Sequence, residues 1–218
     1  MTTARWFSRN NTRRTMIQAA RQAARRHEFL VEMLESRMHM STYYVATSGS
    51  DTAAGSSSAP WKTLQKAANT AKGGDTVIVN PGTYVGMNLV GTSYGGASGS
   101  PITFIANTGD YRTSGVTLSG FSSSDSNHYA IINIEGTKGY YIVEGFNVVD
   151  NGSTQKAGIR IANNPGCQVL NNQVSGAFTG VFASLANGIV VQGNKSHDSY
   201  EQHGIFPDCS TAQGAASP

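Results

Sequence analysis

Residues 158–206 read "GIRIANNPGCQVLNNQVSGAFTGVFASLANGIVVQGNKSHDSYEQHGIF", and the spacing of like residues in this stretch decides the fold. Glycine followed by apolar residues opens three strand-like runs, at Gly158, Gly180 and Gly204. A second series lies between them. Asn172 and Asn194 share the spacing of Gly158 and Gly180, Val148, Val174 and Ser196 fall in corresponding places, and so do Asp150, Gly176 and Asp198. Two independent series with one period indicate a stacked architecture in which each repeat is one structural unit. The units hold short β-prone runs and Gly or Asn turns, with no helix long enough for a helical or leucine-rich solenoid. The pattern predicts an all-β parallel β-helix whose equivalent strands stack about 4.8 Å apart. Ile159, Ile161, Val169, Val174, Val181, Ile189 and Val191 are expected to fill its bore. Asn172 over Asn194 predicts an amide ladder at a turn, pairing polar groups that the turn would otherwise bury.

Working toward the N-terminus, "TLQKAANTAKGGDTVIVNPGTY" (63–84) joins a helical run to a strand and a turn. Trp61, Leu64, Ala67, Ala68 and Ala71 share one face, which predicts a helix over 61–72 ended by Gly73. A β-helix has open ends with unpaired strand edges that invite association. A terminal cap is therefore needed, and this helix lies where the N-terminal end of the bore needs covering. A solenoid capped in this way is expected to be a monomer.

The totals agree with this reading. The 218 residues include 25 Gly, and only 13% are charged. Charge is unevenly spread. Residues 1–40 carry eight Arg against three Glu, and the rest of the chain carries eight Lys or Arg against ten Asp or Glu. The basicity belongs to the leader, so the basic face that nucleic-acid binding requires is missing and no nucleic-acid partner is expected. No apolar run is long enough for a membrane span. Cys167 and Cys209 permit one disulfide or two unpaired thiols.

Residues 1–41 are read as an Arg-rich leader, helical or disordered, without the apolar core of an ordinary secretory signal. "LESRMHMS" (34–41) resembles the leader of large exported bacterial proteins, although His39 departs from the apolar pattern. That resemblance implies a folded domain over 42–206 and a secreted or cell-surface location. After "HGIF" the alternation stops and Pro207 interrupts the strand. Residues 207–218 are expected to be an unstructured, non-native tail on a truncated β-helix; the alternative is a natural short protein with a flexible end.

The stretch "YYVATSGSDTAAGSSSAPWKTLQKAANTAKGGDTVIVNPGTY" (43–84), continued by "SGSPITFIAN" and "YYIVEGFNVVDN", resembles the N-terminal region of secreted right-handed parallel β-helix proteins, notably pectate lyases and related polysaccharide lyases. The resemblance implies β-elimination on an acidic, uronate-containing polysaccharide such as pectate. In that chemistry a Lys or Arg base removes the proton α to the sugar carboxylate, and Ca²⁺, held by several oxygen ligands, stabilises the developing charge. "NKSHDSYEQHG" (194–204) supplies the candidates: Lys195 and His197 for catalysis, Asp198 and Glu201 for the metal. A polar loop between coils is the other reading of that segment. Asp150 and Asp198 would lie two coils apart, about 9–10 Å, too far to share one ion easily. Arg160 alternates with Ile159 and Ile161 and should point outward as a solvated surface residue, an acidic sugar being the other partner weighed for it. Tyr84, Tyr94 and Tyr129 are weighed between stacking on sugars and structural roles. The rival function is a non-catalytic β-helix module for carbohydrate binding or surface attachment.

Overall fold

The computed structural model describes residues 21–22, 40–91, 95–121, 129–150, 156–200 and 203–208. The leader apart from residues 21–22, 40 and 41, the tail beyond Asp208, Tyr94, Glu201 and Cys209 lie outside them. The unit beginning at Met40 carries the fold.

The described strands form three parallel sheets. Sheet one stacks β1 (Thr42–Val45), β2 (Thr76–Val79), β5 (Ile102–Ala106), β8 (Tyr141–Glu144), β11 (Gln168–Leu170) and β14 (Val190–Gln192). Sheet two stacks β3 (Gly82–Tyr84), β6 (Val116–Ser119), β9 (Asn147–Val149), β12 (Gln173–Ser175) and β15 (Lys195–His197). Sheet three stacks β4 (Met87–Val90), β7 (Ala130–Glu135), β10 (Ala157–Ala162), β13 (Thr179–Ser184) and β16 (Ile205–Asp208). The chain visits the three sheets in turn, so β2 to β16 make five coils of a parallel β-helix.

The sequence shows the last three coils clearly and conceals the first two. Val77, Phe104, Val143, Val169 and Val191 stack in register, yet they fall at unequal intervals along the chain. Loops of different length between strands account for this, because each coil keeps its strands and varies its connections. Alternation fills the bore. Ile159, Ile161, Val169, Val174 and Val181 are buried as expected, alongside Phe104, Phe146 and Tyr141, while Val191 is half-buried and packs with Ile189 on the same core. Cys167 is a buried free thiol, and burial pushes its pKa up.

The repeated glycine has a steric cause. A Cβ on Gly180 would collide with the Gly204 carbonyl of the next coil and with the Ser196 hydroxyl. At the turn from sheet one to sheet two the backbone enters the left-handed region, at Gly145 (φ 82°), Asn171 (φ 52°) and Gly193 (φ 68°), which Gly and Asn tolerate best. The amide ladder follows directly. Asn172 donates from Nδ2 to the Val143 carbonyl (3.0 Å) and to Asn194 Oδ1 (3.0 Å), and its Oδ1 accepts from the Phe146 N–H (2.9 Å).

The helix α1 is shorter than the apolar spacing predicts, Leu64–Thr70 instead of 61–72. Trp61 is taken by the sheet: it bridges Val45, its indole N–H donates to the Ala53 carbonyl (2.9 Å), and its ring stacks on Tyr43 at 4.6 Å. Thr63 then caps α1, its hydroxyl accepting from the Lys66 N–H. The other end stops at Ala71, in extended conformation, before the expected Gly73. Leu64, Ala67 and Ala68 are buried, and the Gln65 side chain bonds both the N–H (2.8 Å) and the C=O (3.0 Å) of Asn88 on β4, the terminal strand of sheet three. An amide that mimics the next strand is how α1 covers an edge.

Asp51 fixes this cap. Its carboxylate accepts from the Lys62 and Thr63 N–H groups and from the Thr63 hydroxyl. Burial alone would raise its pKa, but those hydrogen bonds and the Lys66 charge together hold it below the usual value. A depressed carboxyl stabilises the fold above its unfolded pKa of about 3.9 and loses that contribution as the pH falls through the lower folded value. Asp51→Asn is therefore expected to cost about 1 kcal/mol at neutral pH, below the full charge-assisted value because the site is partly solvated. Wild type and variant should converge in urea denaturation as the pH drops below about 4; a constant gap across that range would remove the carboxylate charge as the cause.

Pro207 does not end the chain's last described strand. β16 pairs with β13 through Ile205, Phe206, Pro207 and Asp208, which extends the β-helix past the expected boundary at 206. A proline is tolerated on a terminal strand, where it need not supply a ladder N–H.

Candidate functional site

The outer face of sheet three carries an unusual file of side chains. Asn88, Asn133, Arg160, Phe182 and Phe206 stack one per coil. Strand alternation turns them away from the bore, with Ile132, Ile134, Ile159, Ile161 and Val181 on the inner side.

Arg160 is not a solvated surface residue. Its guanidinium donates to both oxygens of Glu135 (2.6 and 3.1 Å) and to Asn133 Oδ1 (3.2 Å), and Asn133 Nδ2 in turn donates to Asn88 Oδ1 (2.8 Å). The ring centroids of Tyr129 and Phe182 lie 4.9 and 5.7 Å from its guanidinium carbon. The Arg160 and Glu135 side chains are only 18% and 24% exposed. Aromatic rings continue the surface: Phe182 stacks on Phe206 at 5.6 Å, His203 on Phe206 at 5.6 Å, and Phe178 meets Tyr200 edge-on at 5.7 Å.

Two clefts lie along this corner. The smaller, about 310 Å³, is lined by Tyr129, Lys156, Arg160, Phe178, Thr179 and Phe182 among others. The larger, about 720 Å³, lies between the cap and the turn after β3, and includes Asp51, Gln65, Thr83, Val85 and Phe121. The Lys156 ammonium sits 4.7 Å from the Phe121 centroid and so links the two. Tyr129 is 52% exposed at the rim. Tyr84 is buried instead, its hydroxyl donating to the Asn80 carbonyl, and burial raises its pKa.

The residues picked from the sequence as catalytic lie elsewhere. Lys195 and His197 are on β15, in sheet two, two positions apart and pointing the same way, with Ser196 between them turned toward the bore position of Val174. His197 Nδ1 is 2.7 Å from Asp198 Oδ2, and the Asp198 side chain is 79% exposed. Glu201 lies outside the described residues. Asp150 and Asp198 stand two coils apart with Gly176 between them, as the repeat predicts, and Asp150 is buried. Among the described residues no three His, Cys, Asp or Glu side chains come together. Of the two metal candidates, only Asp198 lies among the described residues.

Phe178, Phe182 and Phe206 escaped the sequence reading. Their signal was present: Phe182 and Phe206 occupy the outward place in "GVF" and "GIF", where a polar residue is the ordinary choice.

A chain that winds three parallel sheets into successive coils, with an asparagine ladder at one corner and a helix over one end, is a right-handed parallel β-helix of the pectate lyase-like kind. Residues 43–217 match the family described as "Pel9A-like, right handed beta helix region", and the protein belongs to that family. Among solved structures it is similar to pectate lyase Pel9A, at 22% identity over 74% of this chain and 40% of that one, with a TM-score of 0.57. It is also similar to a rhamnogalacturonan lyase, at 21% identity over 71% of this chain and 51% of that one, with a TM-score of 0.46. The chain spans about half or less of the length of these structures, and the likeness is one of fold. No curated protein matches the sequence. Among the described residues no helix is long and apolar enough to cross a membrane.

Proposed function

We propose that this protein engages a uronate-containing polysaccharide along the outer face of sheet three, outside the cytoplasm, as the β-helix part of a polysaccharide lyase-like protein. The observation that carries this reading is the file of Arg160, Phe182 and Phe206 with Tyr129 and Phe178 beside it. Aromatic rings beside a guanidinium, on a sheet whose coils repeat about every 4.8 Å, offer a polymer a succession of similar contacts. The family's name and the pectate lyase fold support the substrate class.

For β-elimination, Lys195 and His197 on β15 are the candidate bases; they lie on sheet two, so turnover requires the polymer to extend from the sheet-three face round to that sheet. The first test is the ultraviolet absorbance of unsaturated uronides released from pectate, with and without added Ca²⁺. If Lys195 is the base, Lys195→Ala lowers turnover by about 10²–10⁴-fold while binding is retained. An unchanged rate removes Lys195 from the mechanism. Binding without product in the wild type selects the second reading, a carbohydrate-binding module. That reading is favoured by the aromatic surface of sheet three, which lies on a different sheet from Lys195 and His197.

A further inference from the structure

We infer that the smaller cleft is a subsite for one uronic acid ring, whose carboxylate is held by the free edge of Arg160 and one of whose hydroxyls is held by Thr179. The inference rests on the reading that the outer face of sheet three takes polysaccharide, and it names the groups with which that face reads one sugar.

A guanidinium presents its N–H groups in a rigid plane. Part of that set is taken within the protein: Nη1 of Arg160 donates to Asn133 Oδ1 and to Glu135 Oε2, and Nη2 donates to Glu135 Oε1. The Nε–H and the second Nη2–H remain, side by side on one edge, with no acceptor among the described residues. Parallel N–H groups on one edge match the oxygens of a carboxylate. Arg160 lines the cleft and Glu135 does not, so Arg160 offers the cleft what Glu135 leaves. The occupied edge also fixes the plane. Asn133 is itself held by Asn88, and the rings of Tyr129 and Phe182 flank the guanidinium. A ligand therefore meets an edge already oriented, at little cost in side-chain freedom.

Thr179 is an independent sign. It lines the same cleft and is only 5% exposed, yet its hydroxyl has no hydrogen-bond partner among the described residues. A buried hydroxyl is ordinarily paired, and a sugar hydroxyl, which both donates and accepts, pairs it. Lys156 completes the polar set. Its ammonium rests on the Phe121 ring, and no described carboxylate bonds it. With Lys156 present, the corner holds a cation for Glu135 and a cation for the arriving carboxylate, so the second acid does not enter a negative pocket. The rest of the wall is aromatic and suits the C–H face of a pyranose, the usual balance of a site with a few convergent polar groups.

The test is isothermal titration of the full chain with de-esterified and methyl-esterified oligogalacturonides of equal length. The free acid is expected to bind about tenfold more tightly, the size of a charge-assisted hydrogen bond. Arg160→Lys keeps a cation beside Glu135 but lacks the planar fork; it should lose about tenfold for the free acid and hardly move the ester. Thr179→Val separates a ligand contact from a structural one. Loss of a hydroxyl that serves the fold lowers the urea midpoint, whereas loss of one left for the sugar keeps or raises the midpoint and weakens binding about three- to tenfold. Arginine Nε–H resonances give a check on the wild type: the signal missing from Arg160→Lys should shift on adding the free acid and stay in place on adding the ester. Acetate at equal ionic strength should not compete, because it brings no ring and no hydroxyl. Equal affinity for acid and ester, an Nε–H signal that ignores the acid, or displacement by acetate overturns the inference and leaves the polysaccharide reading intact. A lowered midpoint with unaltered binding in Thr179→Val overturns the part that names Thr179. Failure to bind either oligosaccharide overturns both readings.

Discussion

Asn172→Ala is expected to cost about 3–5 kcal/mol, among the largest losses available from a single polar side chain in this protein. Asn172 is fully buried at the corner between sheets one and two. Its amide satisfies the Phe146 N–H and the Val143 carbonyl of the preceding coil and bonds Asn194 of the following one. Truncation leaves a donor and an acceptor in a dry turn, each costing about 1–3 kcal/mol, and opens a small void. Asn172→Asp is expected to do little better, since it keeps the acceptor for Phe146 but loses both donated bonds. Asn194→Ala is the comparison, because its amide lies nearer solvent, where water can replace lost bonds; about 1–2 kcal/mol is expected. Urea denaturation monitored by circular dichroism reads all three. Equal and small losses at Asn172 and Asn194 would mean that the ladder accompanies the coil without holding it. Hydrogen exchange adds the location: in a solenoid each repeat leans on its neighbours, so protection should fall in β14 and β15 before it falls in β5.

The ladder was legible in the sequence because two asparagines that share the period of the glycine series leave few geometries. The bore residues were legible for the same reason, as were Gly158 and Gly180, where no side chain fits between coils. What the sequence concealed has physical causes too. The chain takes a much longer path from Phe104 to Val143 than from Val169 to Val191, so the first coils carry no fixed period although their strands stack in the same register. Trp61 and Ala71 have helical spacing, but the first is held by Val45, Ala53 and Tyr43 and the second turns extended, and tertiary contacts outweigh a weak local preference. The candidate surface on sheet three was the least legible part. Polar density drew attention to Lys195, His197 and Asp198 on sheet two, while the organised surface on sheet three is mostly aromatic, with Arg160 at its centre paired internally. An outward Phe in an alternating strand was the available sign. Its meaning depended on Arg160 and Tyr129 arriving beside it from earlier coils, a juxtaposition only the register supplies.

The double variant Tyr129→Ala/Phe182→Ala is expected to weaken polysaccharide binding on the order of a hundredfold. The two rings flank the Arg160 guanidinium, and they come from different parts of the corner, Tyr129 just before β7 and Phe182 from the middle of β13. A central aromatic contact removed by alanine commonly costs about 2 kcal/mol or more, and each step of about 1.4 kcal/mol is a factor of about ten in affinity. Two such losses, somewhat less than additive because both rings act on one cleft, give the stated figure. Stability should change little, since Tyr129 is largely exposed and Phe182 lies outside the bore. That separation makes the result interpretable: affinity electrophoresis in a polysaccharide gel should show lost retardation in a protein whose urea midpoint is close to that of wild type. Val85→Ala serves as the control at the larger cleft, where an exposed aliphatic side chain lines the wall without contributing a ring. If the double variant binds as wild type does while Val85→Ala does not, the polymer runs through the larger cleft beside the cap, and sheet three is merely a well-packed outer face. If turnover is detectable, a second discrimination follows. Rings that only hold the polymer raise KM and leave kcat alone, whereas rings that orient the reacting sugar lower kcat as well.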